Sequence, residues 1–487
     1  MSIETQSFKF SGFLRSNLIV FFLIFLTHIA FKIPYLTNYG FWYNETFNLF
    51  YSEQDWGLIK HTSEWNRNAP LYYYFLSVWR NLFGITEFAI RFSSVFFSAL
   101  TAGILYLIVS KHFNKIAALI ALLLFSSSND IYSYSQETSC QSIVLFLVMA
   151  SFYFFFNLLS KKTNASLILL GACNFLLIYA QYATGIIPVF QMLIVLIFFN
   201  KQIFKPIGIS FLITTLLVFW RFTPKTFHWI LYPEKGLRLS EPSFNDVKYM
   251  FYDFFNGEML FWIFAVISLL TLGYLIYSKK LKLKEKTEKI KFASILFCGV
   301  GGMFACSALF FLMPEFSKGY VLFTTPFLYV LVGLLVSKLG NEIKYAMVGL
   351  TIFFSVCSFA KMNINVNRPM DYRNAVMAVK KLRNPETITL VETRDVGHLF
   401  AYYFDKKAFS DFKGMESKLN EKGIYLVSTA DDVKAIDLSK YKRVILTQTY
   451  ETVNVNDKEL VEYIFSKYKF NTSSKRYRDV VLSLFSK

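Results

Sequence analysis

The fold of this chain is decided by a polar stretch, Asn38–Arg91, that follows the first apolar segment. It begins with Phe41-Trp42-Tyr43-Asn44-Glu45-Thr46-Phe47-Asn48, continues through Asn68-Ala69-Pro70-Leu71-Tyr72-Tyr73-Tyr74 and ends at Glu87-Phe88-Ala89-Ile90-Arg91. No other stretch in the first half of the chain is both polar and as long. We expect it to lie over the water-facing mouth of a membrane-embedded site, with Glu45 at that mouth.

The composition is typical of a polytopic membrane protein. The chain has 487 residues, is 54% hydrophobic and has a mean hydropathy of +0.40. Many apolar runs reach the roughly 20 residues needed to cross about 30 Å of hydrocarbon. The net charge of +18 fits basic cytoplasmic loops better than nucleic-acid binding. The five cysteines form no close-spaced metal pattern, so we interpret them as small packing residues.

Hydrophobic runs predict eleven membrane spans. They are Asn17–Tyr35, Phe88–Ser110, Ile116–Tyr134, Gln141–Leu159, Ser166–Tyr182, Ala183–Phe199, Pro206–Phe222, Met259–Tyr277, Phe292–Pro314, Tyr320–Ser337 and Ile343–Ala360. The first run is followed by no small-residue cleavage site, so we interpret it as a retained span. Pro70–Gly84 is apolar but has only 15 residues, with Arg80 and Asn81 inside it, which favours an interfacial helix.

The lysines orient these spans. If Pro70–Gly84 does not cross, every compact lysine cluster falls on one side, which the positive-inside rule makes cytoplasmic. The clusters are Lys111/Lys115, Lys161/Lys162, Lys201/Lys205, Lys279–Lys291 and Lys338/Lys344. We therefore expect a cytoplasmic amino terminus. The loops 37–87, 126–138 and 223–258 and the tail then share the outer face.

The sequence predicts two domains, a membrane domain over residues 1–361 and a small outer α/β domain over residues 362–487. In the tail, β-branched runs at Thr387–Glu392, Ile424–Ser428, Arg443–Thr447 and Asp479–Phe485 alternate with helical patterns. Such alternation favours a mainly parallel sheet. No glycine-rich phosphate loop follows the first of these strands, so we assign the tail no nucleotide site.

Two acids are candidate catalytic residues. Glu45 lies just outside a span beside Trp42 and Tyr43, where partial desolvation would raise its basicity. The plainer alternative is a solvated acid on an interfacial helix. Glu137 closes the polar turn Ser126–Glu137 between two apolar spans, and it either serves the site or stabilises the start of the following helix.

Several basic and histidine residues have equally open roles. Arg91 at the entry to the second span could neutralise a lipid phosphate, or anchor the span at the interface. Lys318 with Tyr320 carries the same two interpretations. His28 and Lys32 in the first span could line a cavity. No metal-type pair supports His61 or His228 as ligands.

Six short motifs, in this order, resemble the GT-C glycosyltransferases, specifically the dolichyl-phosphate-mannose–protein mannosyltransferases and the bacterial lipid A aminoarabinose transferases. They are Asn44-Glu45; Asn68-Ala69-Pro70-Leu71-Tyr72-Tyr73; Glu87-Phe88-Ala89-Ile90-Arg91; Tyr134-Ser135-Gln136-Glu137; Gly319-Tyr320; and Asp371-Tyr372-Arg373. Each motif is weak alone. The match covers most of the membrane part and its junction with the tail.

The chain departs from the family pattern at four positions. The usual catalytic Asp is Asn44, the His of the first-loop motif is Asn68, and two Arg positions hold Ser139 and Gly319. The resemblance implies catalytic roles at Asn44, Glu45 and Glu137. It also implies substrate or phosphate binding at Arg91, Lys318, Tyr320 and Tyr72.

The resemblance implies transfer of a sugar from a polyprenyl-phosphate carrier to a lipid, glycan or protein acceptor, with inversion, on the outer face of a bacterial inner membrane. No cofactor is assigned; a divalent metal would use Glu45 and Glu137. The alternatives left open are a catalytically inactive scaffold, a lipid or oligosaccharide transporter, and a ligase for whole oligosaccharides.

Overall fold

A computed structural model describes residues 3–65, 69–198, 201–222, 243–278, 285–312, 318–361, 370–449 and 457–487. Most of the predicted outer loop 223–258, including His228, lies outside the described residues. Asn68 of the first-loop motif lies outside them as well.

The part of the chain before residue 362 is helical wherever the structure describes regular structure. Its helices are α1 (Ile3–Lys32), α2 (Tyr43–Tyr51), α3 (Trp56–Trp65), α4 (Leu71–Phe83), α5 (Glu87–His112), α6 (Lys115–Ser127), α7 (Asn129–Ser135), α8 (Gln141–Lys161), α9 (Asn164–Ala180), α10 (Ile186–Ile197), α11 (Lys201–Arg221), α12 (Phe244–Phe254), α13 (Glu258–Tyr277), α14 (Lys286–Leu296), α15 (Gly302–Leu312), α16 (Thr325–Val336) and α17 (Asn341–Lys361). A π-helical segment, Phe297–Gly301, joins α14 to α15.

Every predicted span coincides with apolar helix. Within the described residues, eight helices are long and apolar enough to cross a membrane, and the pair α6–α7, bent by 62°, makes a ninth if it is one span. The remaining two predicted spans correspond to shorter apolar helices, Asn164–Ala180 and Tyr182–Ile197. Pro70–Gly84 contains α4, a helix of 13 residues. The chain is therefore an integral membrane protein.

The helices divide between two compact units that cut the chain differently from the predicted domains. The first comprises Met1–Pro34, Lys60–Tyr72 and Arg91–Ile364, and the second Tyr35–Ile59, Tyr73–Ile90 and Asn365–Lys487. The second unit thus contains two segments of the first polar stretch as well as the tail. The domain boundary between residues 361 and 362 stays a prediction.

The first unit is held together by close packing and by polar contacts between its helices. Helix α6 packs closely on α16, because a Cβ at Gly333 would lie 2.6 Å from the Ala117 carbonyl oxygen. Helices α8, α9 and α10 are joined by a closed triangle: Ser151 Oγ to Asn174 Oδ1 at 2.7 Å, Asn174 Nδ2 to Gln191 Oε1 at 3.0 Å, and Gln191 Nε2 to Ser151 Oγ at 2.9 Å. These buried side chains satisfy one another where no water is available.

In the second unit, the tail forms a five-stranded sheet of order β2-β1-β3-β5-β4. The strands are β1 (Thr387–Glu392), β2 (Ile424–Val427), β3 (Arg443–Thr449), β4 (Lys469–Tyr477) and β5 (Val480–Ser486). The helices of the tail are α18 (Tyr372–Leu382), α19 (Gly397–Phe404), α20 (Lys406–Phe409), α21 (Met415–Asn420), α22 (Ala430–Lys434) and α23 (Asp457–Lys467).

The α/β assignment of the tail is confirmed, but the sheet is mixed rather than mainly parallel. Strand β1 pairs in parallel with β2 and β3, whereas β5 runs antiparallel to β3 and β4. Strand β4 was not predicted, since most of its residues are polar. Apolar side chains from β1 and β3 pack with α23 to form the core under the sheet; they include Ile388, Leu390, Val444, Leu446, Leu460 and Ile464.

Candidate active site

Helix α2 carries the predicted pair Asn44 and Glu45 in its first turn. Glu45 is only 1% exposed, and its Oε2 accepts a hydrogen bond from the Trp42 backbone N–H at 3.3 Å. This contact caps the amino end of α2, since a Glu at the third helical position can satisfy a free backbone donor. Asn44 is exposed. Of the pair, Asn44 is therefore the member that faces solvent.

In the second unit, α2 is held against α19 by a cluster of rings around His398. The His398 ring centroid lies 5.1 Å from that of Tyr43 and 5.9 Å from that of Phe50, and Nε2 lies 3.4 Å from the Tyr43 carbonyl oxygen. Burial lowers the pKa of His398 to about 4, so the ring is neutral near pH 7. A neutral imidazole can pack among aromatic rings without an uncompensated charge.

The second unit also joins two of the recognised motifs through Arg373, which contacts the chain before α2 as well; we call this arrangement the Arg373 junction (Gly40, Phe41, Glu87, Arg373 and Tyr403). The Arg373 guanidinium forms an ion pair with Glu87 and donates to the backbone oxygens of Thr37 at 3.1 Å and Tyr39 at 2.7 Å. A planar guanidinium suits such a set of acceptors, because its donors diverge in one plane.

Tyr403 completes the Arg373 junction. Its hydroxyl donates to Glu87 and accepts from the Phe41 backbone N–H. Burial, followed by the nearby Glu87 charge, raises the pKa of Tyr403 well above its usual value, so the hydroxyl keeps its proton. Gly40 is required here, because a Cβ would lie 2.9 Å from Tyr403 Oη and 3.0 Å from Arg373 Cβ.

In the first unit, α1, α5 and the turn between α7 and α8 meet in a polar cluster, the Lys32 cluster (Lys32, Ser94, Ser98, Gln136 and Glu137). Lys32 Nζ donates to Ser98 Oγ at 2.7 Å, and Gln136 Nε2 donates to the Lys32 carbonyl at 3.2 Å. Ser94 Oγ donates to the Glu137 carbonyl at 2.5 Å. All five residues are buried, although Glu137 is 9% exposed.

Arg91 belongs to the same end of the first unit. It is 2% exposed and precedes Ser94 by three residues on α5, so the two side chains share a helix face. Ser94 bonds the Glu137 carbonyl, so Arg91 lies about one helical turn before the residue that contacts the turn between α7 and α8. The role of Arg91 in phosphate binding stays a prediction.

Lys318 has two acidic partners, and the three residues form what we call the Lys318 triad. Its Nζ lies 2.6 Å from Asp130 Oδ1 and 3.2 Å from Asp253 Oδ2. Asp130 is buried, whereas the Asp253 side chain is 51% exposed. A phosphate at Lys318 would have to share the ammonium with two carboxylates, which weakens the predicted role of Lys318 as a phosphate ligand.

The structure gives a reason for Gly319, where the family pattern has Arg. A Cβ at this position would lie 2.8 Å from Gln141 Nε2 and 3.0 Å from Tyr134 Oη. An Arg there would have to displace both side chains. Tyr320, in the same short 3-10 turn, is half-buried, and Tyr72 at the start of α4 is buried. Their predicted roles in substrate binding stay predictions.

The part of the chain that the structure describes contains no ready-made cluster of metal-binding side chains. Among the described residues, no group of three or more His, Cys, Asp or Glu side chains is arranged to hold an ion. His61 on α3 is exposed, and His28 Nε2 contacts Ser126 Oγ at 2.9 Å. The predicted use of Glu45 and Glu137 by a divalent metal stays a prediction.

The predicted site residues thus fall into two groups. Arg91, Glu137, Lys318, Tyr320 and Tyr72 belong to the first unit, whereas Asn44 and Glu45 belong to the second. The meeting of Glu45 with Glu137 over one substrate stays a prediction.

Sequence reasoning missed the acids Asp130 and Asp253 and the Glu87–Arg373 pair. Asp130 stood in the polar turn that the sequence singled out, and its place just after an apolar helix was a usable signal. Asp253 carried no such signal, since it lies in an ordinary amphipathic helix. The Glu87–Arg373 pair links two recognised motifs that are 286 residues apart.

Comparison with known proteins agrees with this architecture. The family model for dolichyl-phosphate-mannose-protein mannosyltransferase matches residues 67–226. A search among proteins of curated function found no match. The structure of ArnT from Cupriavidus metallidurans in the apo state superposes with a TM-score of 0.58 at 10% identity, covering 97% of this chain and 98% of that one.

Two further solved structures are similar. ArnT from the same organism bound to undecaprenyl phosphate gives a TM-score of 0.56 at 11% identity, covering 97% of this chain and 98% of that one. The Archaeoglobus fulgidus oligosaccharyltransferase in the apo form gives 0.50 at 11% identity, covering 92% and 71%. The chain therefore has the GT-C fold and resembles the mannosyltransferase and ArnT group of that superfamily.

Proposed function

We propose that this protein is a membrane glycosyltransferase that moves a sugar from a polyprenyl-phosphate carrier to an acceptor hydroxyl on the outer face of a bacterial inner membrane. The observation that carries the proposal is a group of buried polar and charged side chains among apolar helices, namely the Lys32 cluster and Arg91. Buried polar and charged groups within a membrane bundle are costly and usually serve a substrate. The likeness to ArnT bound to undecaprenyl phosphate supports a lipid-phosphate donor.

The donor side of the proposed reaction needs cations beside a departing phosphate. In the reaction the bond between the anomeric carbon and the phosphate oxygen breaks, and the polyprenyl phosphodiester becomes a phosphomonoester with an added negative charge. Arg91 is the strongest candidate to stabilise that charge, because it is buried on α5 three residues before Ser94, whose hydroxyl bonds the Glu137 carbonyl. Lys318 is the weaker candidate, since Asp130 and Asp253 already neutralise it.

The acceptor side needs a base. The acceptor hydroxyl attacks the anomeric carbon from the face opposite the phosphate, and its proton passes to a carboxylate, for which we propose Glu45. A single base-assisted displacement of this kind inverts the anomeric configuration. Glu137 would orient the acceptor. Tyr72 and Tyr320 are proposed to line the substrate path.

One observation favours a second candidate, a catalytically inactive scaffold that binds the lipid without turnover. Of the pair Asn44 and Glu45, the exposed member is Asn44, whose amide cannot accept a proton as an Asp carboxylate would. The other member, Glu45, is buried and caps α2. The two candidates differ in whether Glu45 acts as a base or only as a cap.

Substitution at Glu45 separates these roles. Glu45→Gln keeps a side chain that can still cap α2 but cannot take a proton. If Glu45 is the base, this variant should lose about 10²–10⁴-fold in transfer rate, with unchanged thermal unfolding. The measurement is release of polyprenyl phosphate from a polyprenyl-phosphate sugar by the full chain in nanodiscs containing acceptor lipid. Asn44→Asp, which places an acid at the exposed position, should transfer faster than the native chain.

The control is Glu416→Gln, a change of the same chemistry at a 46% exposed acid of the tail. It should leave both rate and stability unchanged. Transfer by Glu45→Gln at the native rate would remove Glu45 as the base and, if Asn44→Asp is also unchanged, would remove the pair from the mechanism.

A further inference from the structure

An open cleft in the second unit has features of a binding site that the proposed reaction does not use. It has a volume of about 580 Å³, within the roughly 300–1,000 Å³ common for ligand pockets. Its walls come from α18, from α19 with the start of α20, and from the chain around Glu87. We call it the Lys380 cleft.

The acids that line this cleft are already neutralised. Glu87 is paired with Arg373 and accepts from the Tyr403 hydroxyl. Asp405 is paired with Lys422 and also accepts from the Lys407 backbone N–H at 2.9 Å. Neither carboxylate is therefore available to balance further positive charge in the cleft.

Two lysines that line the cleft have no carboxylate partner among the residues that the structure describes. Lys380 Nζ stands over the Phe404 ring, 5.5 Å from its centroid, and Lys406 Nζ stands 5.2 Å from the centroid of Tyr402. Among the described residues, no carboxylate lies within ion-pair distance of either ammonium group. Cation–π contacts position these groups but do not cancel their charge, so the cleft has an excess of two positive charges.

We propose that the Lys380 cleft binds a sugar-sized group bearing a phosphate or carboxylate. Two ammonium groups provide charge-assisted hydrogen bonds for an anion, and the flat faces of Phe404 and Tyr402 give apolar contact area beside them. A neutral sugar would gain nothing from the two lysines. The anion could belong to a soluble acidic saccharide or to the headgroup of an anionic lipid; the chemistry recognised is the same. The proposal stands without the transfer reaction, because it concerns binding alone.

Direct binding tests the proposal. The full chain in phosphatidylcholine nanodiscs is titrated by isothermal calorimetry with glucuronate and glucose 6-phosphate, and with glucose as the neutral probe. We expect both anions to bind and glucose to bind at least about tenfold more weakly. The double variant Lys380→Gln/Lys406→Gln should reduce anion binding by at least about tenfold.

The chain offers a matched control in Lys381→Gln/Lys407→Gln. These lysines are also exposed, stand next to the first pair and do not line the cleft. This control removes the same charge from the same helices and should bind the anions as the native chain does. Equal loss in both double variants, or equal binding of glucose and glucuronate, would overturn the proposal, as would the absence of anion binding to the native chain.

A second arm distinguishes the sources of the anion. If the ligand is a lipid headgroup, phosphatidylglycerol in the nanodisc competes with glucuronate for the cleft. The apparent affinity of the native chain for glucuronate is then lower in these nanodiscs than in phosphatidylcholine nanodiscs. An unchanged affinity assigns the cleft to soluble acidic saccharides.

Discussion

The Arg373 junction and the Lys318 triad both join distant segments by charge, yet they balance that charge in opposite ways. At the Arg373 junction one cation meets one carboxylate, and the remaining donors reach the backbone oxygens of Thr37 and Tyr39. In the Lys318 triad one cation meets two carboxylates, and Asp130 Oδ2 is buried without a hydrogen-bond partner among the described residues.

The Arg373 junction therefore has a structural role, whereas the Lys318 triad still has a carboxylate oxygen that could accept a hydrogen bond or a proton. A saturated guanidinium network fixes its segments, and nothing is gained by adding a ligand. A triad with an excess negative charge and an unsatisfied oxygen can gain from a proton or another donor. We therefore expect the Arg373 junction to govern stability and the Lys318 triad to tolerate, or benefit from, removal of one acid.

The largest expected effect is at Arg373. Arg373→Ala leaves the Glu87 carboxylate without its cation and should lower the free energy of unfolding by roughly 2–4 kcal/mol. Arg373→Lys, which keeps the charge but not the planar fork, should lose less. Thermal unfolding of the full chain in nanodiscs measures both.

A matched arginine in the same unit serves as the control. Arg394 contacts Glu416 at 3.7 Å and Asp432 at 3.6 Å, and its side chain is 56% exposed. Arg394→Ala should change stability by less than about 1 kcal/mol. If Arg373→Ala and Arg394→Ala lower the stability equally, Arg373 does not hold the segments of the junction together.

The next effect should appear in the Lys318 triad. Lys318→Gln leaves the buried Asp130 charged and should cost about 1–3 kcal/mol. Adding Asp130→Asn should recover most of that loss, whereas adding Asp253→Asn should recover little, because Asp253 is half exposed. The double-mutant cycle on thermal unfolding measures the difference, and equal recovery by the two Asn substitutions would contradict the assigned asymmetry.

The last effect is a pH dependence and concerns a third ion pair, Glu53 with Arg80 at 2.5 Å in the second unit. Burial raises the pKa of Glu53 to about 7, while Arg80 and Ser410 oppose that rise. The folded chain therefore holds a proton that the unfolded chain releases between about pH 4.5 and 7. The Glu53 contribution to stability should fall as pH rises through that window and stay constant above it.

Glu53→Gln does not titrate, so the difference in unfolding temperature between native and variant chains should decline from pH 5 to pH 7.5. Glu386→Gln, a change of the same chemistry at an acid whose side chain is 50% exposed, is the control. A difference that is flat from pH 5 to pH 8 would mean that Arg80 keeps Glu53 ionised throughout.

The sequence predicted the helical elements because their signal is local. Apolar runs and loop lysines located all eleven apolar segments, and β-branched runs located β1, β2, β3 and β5. Strand β4 was missed because Lys469–Tyr477 includes Asn471, Ser473 and Ser474 and has no apolar alternation. Its pairing depends on β5 and not on its own propensity.

The candidate site was predicted less completely, since charge pairing across hundreds of residues leaves no local pattern. Glu87 and Arg373 were both seen as motif residues, but nothing in the sequence indicated that they pair. Nothing in the sequence indicated that Asp130 and Asp253 pair with Lys318, whose role in phosphate binding stays a prediction. Glu45 was expected at the mouth of the site, and the structure shows it buried as a helix cap.

The decisive measurement is turnover of a lipid-linked sugar by the purified chain. The native protein in nanodiscs is incubated with an undecaprenyl-phosphate sugar and acceptor lipids, and both the released undecaprenyl phosphate and the transferred sugar are quantified. We expect equal amounts of the two products over many turnovers, and we expect Glu45→Gln to form neither. Lipid that binds to the native chain while its sugar–phosphate bond stays intact would contradict this expectation.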